Sequence, residues 1–484
     1  MKKILIFIAL IAISSSCSGD LQDLNENTKR PATTEPQFLF TYGQKVIVDQ
    51  MNSTSVNLNV FRLFTQQWTE TQYPDESQYN ITTRTIPDNH WTEFYRDGLA
   101  NLNESKKIYM GQSTATPEEK AVLENKIAII DIMMAYSYMI LVDTFGNVPY
   151  TQALDIKTYP LPAYDDAETI YKDLMAKLTV ASDKLTDADS FDSADLMYKG
   201  DAMKWRKFAN SLRLRMAMNM ADKDLGYATA QATAAVSAGV MMSNADNAAI
   251  QYLPLQPNTN PLYLDLVASG RTDFVPANTL VDKMNALTDP RRAIFFTEFP
   301  AGSGQYKGGV YGTLNNYASY SHPGEILSDP TLRGTLLDYT EVEFLLAEAS
   351  ARGIAVGGDA ASHYTAAITA SMEDWGVAAE DITAYLAQPS VAYATATGTW
   401  QQKIGEQSWI ALYNVGSEPW TNYRRLDFPK LSAPPAAYNN LLEVPVRYSY
   451  PAAEETINGS NVTAAIAAIG GNTLLTPVFW DIKK

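Results

Sequence analysis

Cysteine and histidine are scarce in this sequence. Its 484 residues include one cysteine and three histidines, His90, His322 and His363. A single cysteine excludes a disulfide framework and a cysteine-rich metal site. The histidines are far apart and no HExxH motif occurs, so a zinc centre or a Ser-His-Asp site would have to form from isolated residues. We therefore expect no metal site and no cofactor, although calcium, which needs only carboxylate and carbonyl oxygens, stays open.

Basic residues are also in short supply. The chain has 37 Lys and Arg against 54 Asp and Glu, which gives a net charge of -17 at pH 7. A chain this acidic has no net attraction for phosphate backbones, so a nucleic-acid binder is not expected. Its length and its 46% hydrophobic content predict either several domains or one large composite domain with an ample core.

The motifs of common catalytic sites are missing as well. No GxSxG, P-loop or dinucleotide fingerprint occurs, and the glycines of the segment 302–304 fit none of these motifs. A glycosidase needs two carboxylates placed across the scissile bond. Acidic pairs such as Asp165 with Asp166 are too common in this chain to indicate such a site. We predict that the protein is not an enzyme and has no catalytic residue.

The N-terminus has the order of a secretory signal. Lys2 and Lys3 precede an apolar run over residues 4–13, and three serines then lead directly to Cys17. Ten apolar residues are too few to span a bilayer, which takes about 20. A cysteine directly after small residues resembles a bacterial lipoprotein signal, in which the thiol is acylated; the alternative is an ordinary cleavage site and a free cysteine. We predict a signal peptide over 1–16, lipidation of Cys17 and a flexible polar tether over 17–34.

Helix signals dominate the rest of the chain. Thr116-Pro117-Glu118-Glu119 predicts a capped helix start, and Asp165 or Asp166 and Gly200-Asp201 predict two more. Together with apolar spacing of i, i+3, i+4 and i+7, these signals predict helix pairs near 90–142, 166–220, 338–375 and 396–427. The apolar stretch 127–142 contains Asp131 and is under 18 residues, so we interpret it as a buried helix. We predict an all-α, tetratricopeptide-like scaffold, although the helix pairs are not evenly spaced.

The segment 243–335 differs in composition from the helical parts of the chain. Prolines and glycines recur through it, with Tyr306, Tyr311, Tyr317 and Tyr320 among them, which is typical of a loop-rich insertion. Long loops on a rigid helical scaffold are where binding sites tend to lie. We therefore expect the ligand-facing part of the fold here.

Several blocks along the chain resemble one family, the SusD and RagB nutrient-binding lipoproteins of the Bacteroidota outer membrane. In order they are HWTEFYRDGLANLNESKK, LVDTFGNVPYTQAL, WRKFANSLRLRMA, DPRRAIFF, TEVEFLLAEASARG, YTAAITASMEDWGV, GEQSWIALYNVGSEPWTNYRRLDFP, VPVRYSYPAAEETINGSNV and TPVFWD. One block alone would be weak evidence, but this many blocks in order after a lipoprotein signal are specific to the family. The pattern is most similar to the SusD-like branch.

The resemblance implies a single SusD-like domain over residues 35–484, with tetratricopeptide-like helix pairs and a loop-rich ligand-facing part. Such proteins pair with a SusC-like TonB-dependent transporter at the cell surface and form a hinged lid over its extracellular mouth. The implied function is capture of glycan oligosaccharides without covalent chemistry. Peptide capture is the open alternative, since the RagB side of the family serves peptides, and a surface lipoprotein that contacts no ligand is a third possibility.

The signature blocks themselves favour structural roles. Gly146-Asn147 before Pro149 predicts a turn that ends a long helix, and Asp143 is expected to bond the backbone of that turn. Trp409, Trp420, Arg424 and Arg425 are expected to pack and pair between the last helices. The basic cluster Lys204, Arg206, Lys207, Arg213 and Arg215 is interpreted as an internally paired helix.

Aromatic residues in loops carry the ligand hypothesis. Sugar rings stack on Trp and Tyr, while their hydroxyls need polar neighbours. The segment WTETQYPDESQYN supplies the candidates Trp68, Tyr73 and Tyr79, and the glycine-rich loop adds Tyr306, Tyr311 and Tyr320, with Arg271 as a polar partner. The competing interpretation is that these rings pad the scaffold or face the transporter.

Overall fold

The computed structural model describes residues 34–482, and the predicted signal peptide, Cys17 and nearly all of the predicted tether lie outside this range. The α-helices are α1 Pro36–Asn52, α2 Phe61–Phe64, α3 Ile86–Thr92, α4 Ala100–Met110, α5 Pro117–Phe145, α6 Ala167–Lys184, α7 Ala202–Asn219, α8 Leu225–Ala238, α9 Pro261–Tyr263, α10 Asn278–Ala286, α11 Arg292–Phe295, α12 Tyr339–Ala351, α13 Ala360–Asp374, α14 Ala379–Leu386, α15 Trp400–Ala411, α16 Glu418–Leu426, α17 Ala452–Ile457 and α18 Gly459–Ile469. The π-helix Glu93–Leu99 joins α3 to α4, and a second π-helix, Leu264–Ala268, continues α9.

Strands are short in this part of the chain. They are β1 Trp68–Glu70, β2 Val148–Pro149, β3 Tyr164–Asp165, β4 Ala248–Ile250, β5 Phe274–Pro276 and β6 Gly334–Leu337. They pair antiparallel as β1 with β5, β2 with β3 and β4 with β6. Each pair fastens one loop to another and none forms a layer of its own.

Consecutive helices pack as pairs. The main pairs are α4 with α5, α6 with α7, α12 with α13 and α15 with α16, and α8 packs back on α7. The helices of these four pairs fall within the ranges expected from the sequence, except that α5 continues to Phe145, and α8 lies outside those ranges. The prediction of an all-α, tetratricopeptide-like scaffold is confirmed. The buried apolar side chains form a connected core that includes members from Phe40 in α1 to Trp480 near the C-terminus.

Polar caps set several helix starts. The Thr116 hydroxyl accepts from the Glu119 backbone N–H at 3.2 Å, the Asp166 carboxylate accepts from Thr169 at 2.8 Å, and Asp201 accepts two N–H groups at the start of α7. Each bond satisfies an N–H that has no partner within its helix. The helix starts predicted from these residues are therefore confirmed.

The helix α5 is long and apolar enough, by length and composition, to cross a membrane, and it is the one such helix in residues 34–482. Its most apolar window is 83% buried within the fold. Burial of that kind is typical of a core helix, because a spanning helix presents its apolar side chains to lipid. The interpretation of residues 127–142 as a buried helix is confirmed.

The turn after α5 is held from several directions. Gly146 has φ 85°, a left-handed value that favours glycine. The sequence predicts that the Asp143 carboxylate bonds the backbone of this turn, and this prediction is wrong. The carboxylate accepts instead from the Tyr171 hydroxyl at 2.6 Å and from the Trp480 indole at 2.7 Å. It therefore ties α5 to α6 and to the C-terminal segment. The Arg447 guanidinium donates to the Phe145 carbonyl oxygen at 3.0 Å and supports the turn instead.

The basic residues of α7 pair inside the protein. The Arg215 guanidinium is fully buried and lies 2.6 Å from the Glu341 carboxylate and 3.2 Å from that of Glu418. Lys207 lies 2.9 Å from Asp246. The interpretation of this cluster as an internally paired helix is confirmed for Arg215 and Lys207, and these two cations give no sign of an anionic partner.

The last helix pair is tied to the rest of the fold in the same way. The Trp409 and Trp420 indoles donate to backbone carbonyl oxygens at 2.9 and 2.6 Å. The Arg424 guanidinium lies 3.6 Å from the centre of the Trp420 ring, and Arg425 lies 2.9 Å from Glu348 of α12. The expected packing and pairing of these four residues is confirmed.

The segment 243–335 contains more regular structure than its composition predicts. Helix α10 buries Leu280, Val281 and Met284, and β4 pairs with β6 across the segment. The prolines and glycines interrupt these elements without removing them, because short amphipathic stretches between them still find apolar neighbours. The long loops that remain, with β1 and its following segment, form the loop-rich face of the molecule.

Candidate functional site

One strand pair brings two distant loops together on the loop-rich face. In the antiparallel pairing of β1 with β5, Trp68 lies opposite Pro276 and Glu70 opposite Phe274. Beyond the strand, the Thr71 backbone N–H donates to the Asp273 carbonyl oxygen at 2.8 Å. The start of the segment 71–80 therefore lies beside the end of the segment 264–273.

These two segments carry the predicted ligand residues Tyr73 and Arg271, and both side chains reach solvent. Tyr73 is 61% exposed. Arg271 pairs with the Asp273 carboxylate, to which its Nη2 donates at 3.0 Å. The hydrogen bond and charge of Asp273 raise the pKa of Arg271, with a smaller contribution from the nearby Tyr73 hydroxyl. The surface thus offers an aromatic ring beside fixed hydrogen-bond donors and acceptors.

A polar cleft of about 270 Å³ opens at this surface. Its walls are mainly hydroxyl, amide and charged groups: Thr54, Ser55, Val56, Asn57, Arg84, Asp265, Ser269, Arg271, Asp273 and Phe274. Burial raises the pKa of Asp265 to about 6, against the opposing effects of a hydrogen bond from the Thr54 backbone and the charge of Arg62. Near neutral pH the cleft can therefore accept hydrogen bonds from hydroxyl groups through Asp265.

Tyr306 and Tyr320 lie on a second part of the loop-rich face. Their segments are joined because Lys307 and Ser321 exchange hydrogen bonds of 2.9 and 3.0 Å. Tyr306 is half-buried, lines a cavity of about 570 Å³ and has the Arg292 guanidinium 5.5 Å from its ring centre. The Lys307 ammonium lies 4.8 Å from the Tyr320 ring centre. Both tyrosines thus keep part of their surface available.

The other three predicted ligand residues lie in the core. Trp68 and Tyr79 are 0% exposed and Tyr311 is 7% exposed. The prediction that these rings stack on a ligand is wrong for this structure, because protein atoms already cover them. Pairing of β1 with β5 turns Trp68 inward, where its indole donates to the Tyr413 hydroxyl at 2.6 Å.

Hydrogen bonds fix the other two buried rings as well. The Tyr311 hydroxyl donates to the Leu63 carbonyl oxygen at 2.7 Å. The Tyr79 hydroxyl accepts from the Gln66 amide at 3.2 Å, and burial raises the pKa of Tyr79 to about 12. These partners satisfy the polar ends of rings whose apolar parts pack inside.

A buried carboxyl pair supports the loop that carries Tyr73. Glu70 and Glu76 are both buried, and Glu70 accepts from the backbone and hydroxyl of Ser77 at 2.8 and 2.9 Å. Burial and the neighbouring Glu76 raise the pKa of Glu70 to about 9, and Glu76 pairs with Arg84. Burial thus favours the protonated form of Glu70, and its bonds to Ser77 join the two ends of the loop.

Sequence reasoning missed several residues of this site. Asp273 follows Arg271 by two positions, so the i, i+2 spacing of opposite charges was a readable signal. Asp265 and Arg84 carry no local signal, since only the fold brings them to the cleft. Within residues 34–482, no three His, Cys, Asp or Glu side chains gather in an arrangement able to hold a metal ion.

Residues 28–451 match the sequence profile of the SusD-like family that is described as starch-binding and associating with the outer membrane. The chain belongs to the SusD-like family. No curated protein sequence matches it. The family therefore rests on a profile that spans most of the chain, and the resemblance stated from the sequence blocks is confirmed.

Solved SusD-like structures share the fold. A SusD-like protein of Bacteroidetes AC2a superposes with a TM-score of 0.80 at 22% identity, covering 93% of this chain and 100% of that one. A chitin-binding protein gives 0.77 at 26% identity, covering 93% and 100%. A SusD homologue from Bacteroides uniformis gives 0.77 at 26% identity, covering 92% and 99%. The scaffold of helix pairs with a loop-rich face is thus that of SusD-like proteins.

Proposed function

We propose that this SusD-like protein captures glycan oligosaccharides at the cell surface and does no covalent chemistry on them. The observation that carries the proposal is the exposed Tyr73 ring near the Arg271–Asp273 pair, whose two members line a polar cleft. The family description as starch-binding and the 26% identity with a chitin-binding protein support a glycan as the ligand.

The chemistry of this surface suits a neutral sugar. An aromatic ring offers an apolar face to the C–H side of a pyranose. Arg271 donates and Asp273 accepts, so both kinds of hydroxyl hydrogen bond have a partner close to that face. Hydroxyls left without partners would cancel the gain from stacking, which makes the adjacent polar cleft necessary for affinity.

Partnership with a SusC-like TonB-dependent transporter is the second part of the proposal, with this protein as a hinged lid. The loop-rich face exposes Val310 at 50% and Leu314 at 73%. The segment 438–442, joined to this face through the bonds of Gln78 with Gly312 and Tyr438, exposes Leu442 at 85%. Exposed apolar groups close to one another are typical of protein-protein contact surfaces. Ligand held between lid and transporter would favour the closed state through its contacts with both proteins.

The third part is the anchor. Cys17 after three serines supports acylation and attachment to the outer membrane, with two acyl chains giving stable anchoring where one would not. A Cys17→Ser variant should be absent from the membrane fraction and present in the soluble fraction when cells are fractionated. Equal retention of wild type and variant in the membrane would contradict this part of the proposal.

Glycan capture is tested by calorimetry on the full-length protein in detergent, with chitohexaose and maltohexaose as probes. We expect binding of at least one probe and loss of about tenfold or more in affinity for Tyr73→Ala and Arg271→Ala. Tyr159→Ala is the matched control, because Tyr159 is 41% exposed and lies outside the loop-rich face. Unchanged binding in both site variants would refute the site, and peptide binding without glycan binding would favour the peptide alternative.

The lid is tested by co-expression with the SusC-like transporter that we expect a neighbouring gene to encode. The two proteins should co-elute in detergent, and Leu314→Asp with Leu442→Asp should weaken the complex. Ile156→Asp with Ile457→Asp is the matched control, since both side chains are exposed apolar residues elsewhere on the surface. Absence of such a gene and of co-elution would contradict the lid.

A further inference from the structure

A third cavity lies among the helix pairs. It has a volume of about 620 Å³ and is lined from α4, α5 and α6 and from the segments that follow β2 and include β3. Its lining residues include Tyr138, Tyr150, Ala153, Asp165, Asp173 and Lys177. None of them belongs to the cleft at Arg271 or to the cavity at Tyr306. A volume of this size falls in the range of small-molecule sites.

Apolar and aromatic side chains form one part of the lining. Tyr138 and Tyr150 meet edge to face with their ring centres 4.7 Å apart, and Met134, Leu154 and Ile170 line the cavity with them. The Tyr150 ring is held in place because its hydroxyl donates to Asp173 and accepts from Lys177. The cavity therefore has a fixed wall of aromatic and apolar side chains, and the Lys177 ammonium lies 4.6 Å from the centre of the Tyr150 ring.

Charged and amide groups form the other part. Lys177 lies 2.8 Å from the Asp173 carboxylate and is 56% exposed. The Asp165 carboxylate accepts from the backbone of Tyr150 and Thr151 and is thereby held at the rim. Asn103 contributes an amide from α4. One ammonium, two carboxylates and an amide provide both donors and acceptors for hydroxyl groups.

The charge balance narrows the class of ligand. Two carboxylates against one ammonium leave the lining with a net negative charge, which disfavours sulfated sugars and uronic acids. Lys177, Asp173 and Asp165 already bond to protein groups, but each keeps further donor or acceptor capacity that a polar ligand can use and an apolar ligand cannot. A neutral or amino sugar meets both conditions.

We propose that this cavity is a second glycan-binding site, for a neutral or amino-sugar unit, separate from the loop-rich face. The inference rests on the proposed function, because it takes the ligand class to be glycan. Two separate sites on one chain would hold an oligosaccharide at two points or two chains at once. Either arrangement raises the effective concentration of sugar at the surface.

The test is calorimetry on the full-length protein in detergent, with chitotriose and maltotriose as short probes that occupy one site each. Ala153→Trp places a large ring in the cavity without removing a polar group. Lys177→Ala removes one donor from an exposed position, so that the test does not depend on the folding of the first variant. Lys172→Ala is the matched control, since Lys172 forms the same i, i+4 pair with Glu168 on α6 and does not line the cavity.

The wild type should bind two probe molecules per chain, Ala153→Trp one, Tyr73→Ala one and the double variant none. Lys177→Ala should weaken the second site about tenfold, the size of one charged hydrogen bond, while Lys172→Ala leaves it unchanged. One binding event that survives Ala153→Trp and is lost in Tyr73→Ala would overturn the second site and keep the proposed function. Absence of all binding would overturn both, and binding lost only in Ala153→Trp would keep the cavity and overturn the site at Tyr73.

Discussion

Replacement of Trp68 by alanine distinguishes a core residue from a ligand residue. The indole is 0% exposed, packs with its ring centre 5.6 Å from that of Phe274 and donates to the Tyr413 hydroxyl at 2.6 Å. A buried Trp removes about 150–250 Å² from water, worth about 4–6 kcal/mol at about 25 cal/mol per Å². Measured Trp and Phe truncations in cores give about 3–5 kcal/mol. We therefore expect a loss of about 4 kcal/mol in the free energy of unfolding, to which the unpartnered Tyr413 hydroxyl adds.

The assay is urea unfolding followed by circular dichroism at 222 nm, which reports the helices and does not depend on the removed indole. With a urea dependence of a few kcal/mol per molar, as expected for a chain of this size, the midpoint should fall by on the order of 1 M. Glycan affinity of the protein that remains folded should stay close to that of the wild type. This variant should therefore lose stability without losing glycan affinity.

Tyr73→Ala should give the opposite result. Its ring is 61% exposed, so its removal should change the free energy of unfolding by no more than about 0.5 kcal/mol while it lowers glycan affinity. Unfolding of Trp68→Ala at the wild-type urea concentration, together with loss of glycan binding, would contradict this expectation. That result would mean that the indole is exposed in solution and contacts the ligand.

Three further predictions concern buried ionisable groups. Arg215→Met leaves the Glu341 and Glu418 carboxylates buried without their cation, so urea unfolding should show a loss of about 3–5 kcal/mol. Burial raises the pKa of Asp265 to about 6, so the folded state binds this proton more tightly than the unfolded state and stability falls as pH rises from about 4 to 6. Asp265→Asn should remove about 1–2 kcal/mol of that fall, after allowance for partial exposure. Burial lowers the pKa of His90 to about 3, so the free energy of unfolding should fall as pH drops below about 6.5, by about 2 kcal/mol at pH 5. His90→Phe should abolish that fall, which urea midpoints measured between pH 5 and about 6.5 would show.

The helical scaffold was predictable because its signals are local. Asp166 and Asp201 stand just before the apolar periodicity of α6 and α7 and cap them as expected. A cap and a stripe of apolar residues act within a few turns of one helix, so they can be read without knowledge of the partner. Helix α10 was not predicted, because it has only nine residues and lies among prolines and glycines.

The candidate site was predictable only in part, and Trp68 and Tyr73 show why. Both are aromatic residues of one polar segment, yet Trp68 is 0% exposed and Tyr73 is 61% exposed. What separates them is the pairing of β1 with β5, a contact with a distant part of the chain. The cavity at Tyr150 has the same origin, because α4, α5 and α6 must pack before its lining exists.

The loop that carries Tyr73 is held at many points, and this bears on how a lid would close. Thr71 bonds to Asp273, Gln78 bonds to Gly312 and to the backbone of Tyr438, and the Glu70 carboxylate accepts from the backbone and hydroxyl of Ser77 at its base. A surface fixed in this way loses little conformational freedom when it binds. We infer that closure, if it follows glycan binding as proposed, moves the protein as a rigid body and does not reshape this loop.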